Sequence, residues 1–451
     1  MFQPVALPLW LLVVILLFAA VTFASHFLFP SVRWFFRRRM EKAVAQLNTR
    51  LTRPIEPFKL ARRHDMIQRL IYDGAVWAAI SDHAKSEGVP ENVAFERARR
   101  YAREIVPSFS TTFYYGFAIG LARFISRRLY RVRLGHHAAE TLANIDRDAT
   151  VVFVMNHRSN MDYVLVTYLA AEQSALSYAV GEWARVWPLS RLIRAMGAYF
   201  IRRKSRGDLY RRVLARYVAL ATEGGVTQAV FPEGGLSLDG ALAKPKLGIL
   251  RYIVDGYDPE TRDVVFIPVA INYDRVFEDK ILVAAGQRGD RRFGARISVV
   301  LKYIWRITWH WATGRYHRFG YAAVSFGAPV SLRAVSADAP AEIDALAEDL
   351  MHRIGAVVPV LPVPLAASVF LAAKAPLSHT DYSEAFVALV DAMPEAHIHA
   401  PREDMAYALE YGLRNLVGRG FVSEAEGRYQ ITEEGQPLVQ YYANSIAHLL
   451  R

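Results

Sequence analysis

His157 and Asp162, five positions apart in Asn156-His157-Arg158-Ser159-Asn160-Met161-Asp162, carry the sharpest chemistry in the sequence. The segment follows a β-rich run, so the histidine falls in a polar loop at a strand end, where nothing packs it as a core residue. A carboxylate one turn into the following helix reaches back to one imidazole nitrogen, fixes the tautomer and raises the basicity of the other nitrogen. Such a pair takes a proton from an alcohol. A structural reading stands beside it: Ser159 or Asn160 caps the helix, and Asp162 completes a capping-box-like arrangement at its third position.

Two further constellations suit an anionic partner. Gly197-Ala198-Tyr199-Phe200-Ile201-Arg202-Arg203-Lys204, with Arg206 behind, is a short strand emptying into paired arginines. Guanidinium forks bind phosphate in a bidentate way; a solvated basic loop is the bland alternative. In Phe231-Pro232-Glu233-Gly234-Gly235-Leu236-Ser237 the adjacent glycines let the backbone approach a ligand and present N–H groups to an anion. Lys244 and Lys246 follow closely. The segment is no nucleotide P-loop, which needs GxxxxGK[ST]. It also misses the hydrolase elbow G-x-S-x-G, because Asp239 stands where glycine is required. A fourth block, Ile267–Tyr273, is an apolar strand whose Pro268 suggests an edge or a bulge. His136-His137 and His397-x-His399 complete no zinc pattern, so no metal site is expected.

These residues need a scaffold that gathers loops at one end. Strand-like runs at 150–155, 175–180, 199–201, 226–231 and 264–272 alternate with helix-like runs at 162–171, 188–196, 209–222 and 247–254. The alternation predicts an α/β fold with a mostly parallel central sheet flanked by helices, its ligands at the carboxyl ends of strands. Residues 324–331 read as one more strand. The expected organisation is a membrane anchor and basic flank over 1–39, a helical region over 40–133, an α/β domain over 134–356 and a small helical, winged-helix-like region over 357–451. In that last region a helix spans 405–416 and a strand 428–431, with a linker-like stretch at 357–364.

The chain has 451 residues, 53% of them hydrophobic and 22% charged, with a formal charge of +12 and no cysteine. Disulfides, thiolate metal sites and cysteine nucleophiles are thereby excluded. The basic balance suits phosphorylated metabolites, an acidic membrane face or nucleic acid. The candidate second helix of the tail lacks a basic cluster, so nucleic acid is not an expected partner. From Leu7 to Phe29 the chain is apolar apart from Thr22, Ser25 and His26, then turns basic at Arg33, Arg37, Arg38, Arg39 and Lys42. This predicts a single membrane-spanning anchor, N-terminus outside and the rest cytoplasmic. Phe113–Phe124, broken only by Arg123, is too short to span. It reads either as an amphipathic helix lying in the bilayer interface or as a buried helix packing on the next domain. Aromatics mixed with cations over 301–321 suit the same interface or an ordinary packed helix.

Taken in order, Asn156-His157-x4-Asp162, Gly197–Arg203, Phe231–Ser237 and Ile267–Val269 resemble the four motifs of the glycerolipid acyltransferase superfamily. The likeness extends towards the bacterial membrane-bound glycerol-3-phosphate 1-O-acyltransferases. Arg97–Ile105, with its Arg-Arg-Tyr-Ala-Arg-Glu-Ile, looks like that family's pre-catalytic helix, and Tyr441–Ile446 like its C-terminal end. The resemblance implies transfer of a fatty acyl group from acyl-CoA or acyl carrier protein to the 1-hydroxyl of glycerol 3-phosphate, at the inner membrane and without another cofactor. It implies that His157 is the base and Asp162 orients it. Arg202 and Arg203 would hold the phosphate; Glu233, Gly234, Gly235 and Ser237 would shape the acceptor site, and Pro268 would lie near the acyl donor. One departure stands out: Leu236 occupies the place of an arginine that contacts the acceptor phosphate in the family, a loss that Lys244, Lys246 or Arg206 would have to offset. Lysophosphatidate or dihydroxyacetone phosphate as acceptor is the alternative. A serine hydrolase using Ser237 and a non-catalytic membrane scaffold are more remote.

Overall fold

The structure is a computed structural model describing residues 8–49, 51, 53–137, 144–169, 175–181, 189–202, 207–289, 319–336 and 342–450, without side chains at 20–21, 23–37, 40–41, 136–137 and 189. Two compact units divide it, residues 1–55 and 56–451. The first is built on one helix, α1 (Leu9–Asn48), whose end is tied by the Ile55 N–H donating to Asn48 Oδ1 at 2.9 Å. Among the described residues no helix is long and apolar enough to cross a membrane. Most side chains of the expected anchor beyond Ala19 lie outside the described residues, as does the aromatic–cationic stretch up to 318.

The second unit opens with α2 (Arg63–Ile71), α3 (Gly74–Glu87) and α4 (Glu91–Ile105). Ala94, Ala98 and Ala102 repeat every four residues, so α4 buries a smooth face closed by Ile105. A π-helical stretch, Tyr114–Ala118, runs into α5 (Ile119–Leu129). Then come β1 (Arg131–His137), β2 (Thr150–Met155), α6 (Met161–Leu169), β3 (Ser177–Val180), α7 (Leu189–Ala195), β4 (Tyr199–Phe200), α8 (Asp208–Glu223), β5 (Gln228–Val230), α9 (Gly248–Asp255), β6 (Val264–Tyr273), α10 (Asp279–Arg288), β7 (Tyr321–Phe326) and β8 (Val330–Ser331).

The strands form one sheet in the order β1-β7-β6-β2-β5-β3-β4, with β8 also on β6. From β6 to β4 neighbours are parallel, whereas β7 and β8 lie antiparallel to β6. The predicted mostly parallel, helix-flanked sheet is therefore present. Every residue of β2 and β6 is buried, as a central strand covered on both faces requires. Three details differ from expectation. β1 went unread because its alternating cations give no apolar run, and 324–331 is two short strands separated at Gly327. Pro268 sits in an inner strand, not at an edge. Its carbonyl accepts from the Gly327 N–H at 2.9 Å, where the neighbour changes from β7 to β8, so its missing donor faces a break in the ladder.

The tail belongs to the same compact unit. After α11 (Ile343–Ala356) the expected linker ends at α12 (Pro362–Ala372), a helix buried through Phe370 with proline in its first turn. Next come β9 (Leu377–Ser378), α13 (His379–Asp391), α14 (Met405–Gly418), β10 (Val422–Ala425), β11 (Arg428–Ile431) and α15 (Gln436–Asn444), with a small antiparallel sheet ordered β10-β11-β9. The expected helix and strand at 405–416 and 428–431 are present, together with an unread helix at 379–391. Buried carboxylates join the tail to the main sheet. Asp274 accepts from the N–H groups of Tyr321 (2.8 Å) and Val363 (3.0 Å). Asp279 accepts from Tyr442 Oη and Arg419 Nη2, and Tyr442 Oη in turn accepts from the Val276 N–H at 3.0 Å.

Gly240, at φ +89°, lies directly against the Tyr441 carbonyl, where a Cβ would collide with backbone. Gly240→Ala is expected to destabilise the second unit by at least ~2 kcal/mol, adding collision to left-handed strain. Denaturant unfolding in detergent measures it, and an unchanged midpoint would refute this account of the junction.

Candidate active site

Strand ends β2 and β5 deliver the central loops side by side. From β2 the chain enters Asn156, whose amide brackets the backbone of the neighbouring strand: Nδ2 donates to the Ile271 carbonyl (3.0 Å) and Oδ1 accepts from the Ile271 N–H (2.8 Å). This locks the start of the loop to β6. His157 follows, 3% exposed, and Asp162 is fully buried at the second residue of α6.

The two side chains meet. His157 Nδ1 lies 2.9 Å from Asp162 Oδ2. A carboxylate at Nδ1 stabilises the tautomer protonated there and leaves Nε2 as the basic nitrogen. The same Oδ2 accepts from the N–H groups of Arg158 (2.7 Å) and Ser159 (3.0 Å), while Oδ1 accepts from Tyr273 Oη (2.6 Å). Ser159 Oγ accepts from the Met161 N–H at 3.1 Å. Ordering of the helix start and orientation of the imidazole, offered by the sequence as competing roles for Asp162, are here one structure. The imidazole lies against Phe231 (centroids 4.1 Å apart) and meets the edge of Tyr163 (5.4 Å).

The Gly-Gly loop splints His157 from its other side. Glu233 Oε1 accepts from the His157 N–H at 2.9 Å, Oε2 accepts from Ala243 N–H at 3.4 Å, and the His157 carbonyl accepts from the Ser237 N–H at 2.9 Å. Glu233 is 3% exposed, so it shapes the site from behind its backbone. Burial pushes its carboxyl up to about 7, against the pull of those two amides. Ser237 Oγ donates to the Ala241 carbonyl (2.8 Å), with Asp239 Oδ1 3.2 Å away, and accepts from the Gly240 N–H (3.0 Å). Its hydroxyl thus serves its own turn, which argues against a serine nucleophile. Gly234 takes φ +66°, and a Cβ there would press on the Lys246 stem. Lys244 and Lys246 are exposed, Gly235 is half-buried, and Leu236 turns against the core.

Arg202 has a different neighbour from the phosphate expected for it. Its Nε donates to Glu104 Oε2 at 2.8 Å and its Nη2 to Oε1, while Tyr101 and Tyr210 flank the guanidinium. The fork that would grip a phosphate is occupied by a carboxylate of α4. Arg203 and Arg206 lie outside the described residues. Pro268 is buried within β6, paired with Val154 of β2. Among the described residues no group of three or more His, Asp or Glu is placed to hold a metal ion.

Residues 136–272, which include His157, Asp162 and the Gly-Gly loop, match the Acyltransferase family, and 309–451 match the Glycerol-3-phosphate acyltransferase C-terminal region. Two family models thus fall in turn on the α/β sheet and on the tail, neither alone reaching half of the chain. A glycerol-3-phosphate acyltransferase of Xylella fastidiosa (strain M23) is 26% identical over 447 residues, covering 91% of this chain and 50% of the relative. One from Aeromonas hydrophila is 28% identical over 432 residues, covering 87% and 50%. The chain thus spans about half the length of the curated relatives it matches. The crystal structure of a 1-acyl-sn-glycerophosphate (LPA) acyltransferase from Thermotoga maritima, 18% identical over 62% of this chain and 92% of that one, superposes with a TM-score of only 0.34, too loosely to support fold or function.

Sequence reasoning missed several residues that hold the pair. Tyr273 was visible only as one residue of an apolar strand. Glu278 gave no signal at all; it accepts from Ser159 Oγ (2.7 Å) and Asn160 Nδ2 (3.0 Å), and burial raises its carboxyl pKa. Arg158, buried beside the pair, donates from Nη1 to the Gly240 carbonyl and lies 5.1 Å from the Tyr441 ring centroid, linking the loop to α15.

Tyr273→Phe is expected to lower kcat roughly 10-fold with little change in KM, because it removes one orienting bond and no substrate contact (about 1.4 kcal/mol). Steady-state kinetics test this, and an unchanged kcat would count against the orienting role. Glu233 also makes stability pH-dependent. Its folded pKa of about 7 lies above the ordinary 4.5, so its contribution is complete below pH 4.5 and is lost as pH rises through 7. Asp274, pushed by burial from 3.8 to about 7, acts with the same sign. Unfolding free energy should therefore fall across this window, less steeply in Glu233→Gln; identical slopes would contradict the assignment.

Proposed function

We propose that this chain transfers a fatty acyl group from acyl-CoA or acyl carrier protein to the 1-hydroxyl of glycerol 3-phosphate, giving 1-acylglycerol 3-phosphate. The observation carrying the reading is the buried His157–Asp162 pair, with Nδ1 held by the carboxylate and Nε2 left as base. Nε2 takes the hydroxyl proton as the oxygen attacks the thioester carbonyl. The tetrahedral adduct collapses, the carbon–sulfur bond breaks, and the departing sulfur recovers the proton from the imidazolium. No acyl-enzyme is needed. The names of the relatives support the acceptor class.

Anchoring at the cytoplasmic face of the inner membrane, N-terminus outside, is part of the same proposal; the apolar run Leu7–Phe29 and the arginines after it support it. For the acceptor phosphate, Lys244 and Lys246 follow the Gly-Gly loop. A second reading, lysophosphatidate or dihydroxyacetone phosphate as acceptor, draws on Leu236 facing the core and on Arg202 gripping Glu104.

Purified full-length protein in vesicles, given long-chain acyl-CoA and each labelled acceptor separately, tests the proposal. Glycerol 3-phosphate should be acylated, with His157→Ala at least ~100-fold slower, the lower end of general-base contributions. Product from lysophosphatidate alone would overturn the acceptor; full activity in His157→Ala would overturn the mechanism. Lys244→Gln/Lys246→Gln should raise the KM for glycerol 3-phosphate, and an unchanged KM would remove these lysines from the phosphate site.

A further inference from the structure

The π-helical stretch Tyr114–Ala118 and α5 form a helical rod with two apolar faces. One face packs inward through Tyr114, Ala118, Ala122 and Leu129. The other carries Phe117, Leu121 and Phe124, which are 53%, 43% and 61% exposed. Phe113 joins them, its ring centroid 5.5 Å from that of Phe117. The spacing of 113, 117, 121 and 124 is that of one helix face, so these are a continuous stripe rather than scattered surface apolar residues.

Charge says what covers this stripe. Arg123, Arg127 and Arg128 on the same helix are exposed, and Arg131 and Arg133 follow. No acidic residue occurs between Glu104 and Glu140. The guanidinium groups of Arg123 and Arg127 rest near the Tyr168 ring, at 5.6 and 5.7 Å from its centroid, and Arg127 Nε donates to Tyr168 Oη at 3.1 Å. They are therefore held on α6, the helix that begins at the site with Met161 and Asp162. An aromatic stripe bordered by cations and free of acids fits an anionic bilayer surface, with rings at the acyl boundary and guanidiniums among lipid phosphates.

We propose that the Phe113–Phe124 face docks the catalytic unit onto anionic lipid, in addition to any anchoring by the N-terminal run. This rests on the membrane reading above and names the surface that makes the contact. It also joins the interfacial and buried roles open to this segment in the sequence by assigning them to opposite faces of the rod.

The absence of cysteine makes the test clean. Leu121→Cys, Phe124→Cys and, as reference, Val387→Cys on α13 are each labelled with an environment-sensitive fluorophore in the full-length protein. Each is reconstituted in vesicles of phosphatidylcholine with or without phosphatidylglycerol. In phosphatidylglycerol vesicles the labels at 121 and 124 should blue-shift and be quenched by headgroup-proximal nitroxide lipid, whereas the label at 387 should not. Arg123→Gln/Arg127→Gln/Arg128→Gln should weaken the quenching. Vesicle-bound protein whose labels at 121 and 387 behave alike would overturn the docking surface and leave the membrane reading intact; protein that fails to join vesicles would overturn both. Equal quenching in neutral vesicles would refute the anionic preference. Protection at 121 that rises with protein concentration without lipid would assign the face to a second copy instead.

Discussion

Asp162 is a buried carboxylate receiving hydrogen bonds from the His157 ring, the Arg158 and Ser159 amides and the Tyr273 phenol. An ionised carboxylate removed from water is tolerable only when its lone pairs are met by donors, because desolvation costs several kcal/mol. The geometry that satisfies it fixes everything nearby. The amides bend the loop into a helix start, the phenol ties the loop to β6, and the imidazole is left with one permitted orientation. A single electrostatic requirement thus specifies both the fold of the loop and the tautomer of His157.

Further buried acids extend this principle around the site. Glu233 binds the backbone of His157 from the loop after β5, and Glu278 binds Ser159 and Asn160 from the entrance to α10. Asp274 and Asp279 join the sheet to the tail. In each case a carboxylate from one segment satisfies donors of another, so loops distant in the chain become a rigid cradle without needing regular structure of their own. The tail consequently backs these loops, its Tyr441 ring beside Arg158 and its Asn444 side chain on the Asp239 carbonyl at 2.8 Å.

Much of the frame was legible because it depends on local periodicity. The apolar runs of β2 and β6 announce strands buried on both faces, and 209–222 falls within the helix Asp208–Glu223. β1 was illegible because an alternating cationic strand lacks that signature, and the 357–364 stretch misled because proline begins α12 as readily as it marks a linker. Arg202 shows the limit for the site. Its type and place suit phosphate, yet α4 brings Glu104 to its fork from 98 residues away.

What the sequence determined by itself was the pairing of a loop histidine with a carboxylate one turn on, the order of the motifs and the alternation that builds the sheet. These are set by residue type and by spacing within a turn or a strand. Only the tertiary structure decided that Asp162 also bonds Tyr273, that Glu233 faces backbone instead of an open site, and that the C-terminal helix closes the back of the loop. The reason is that a buried carboxylate takes its donors from whichever segments strand pairing makes adjacent. β6 lies beside β2 although 111 residues separate Tyr273 from Asp162. Spacing along the chain carries no record of that neighbour.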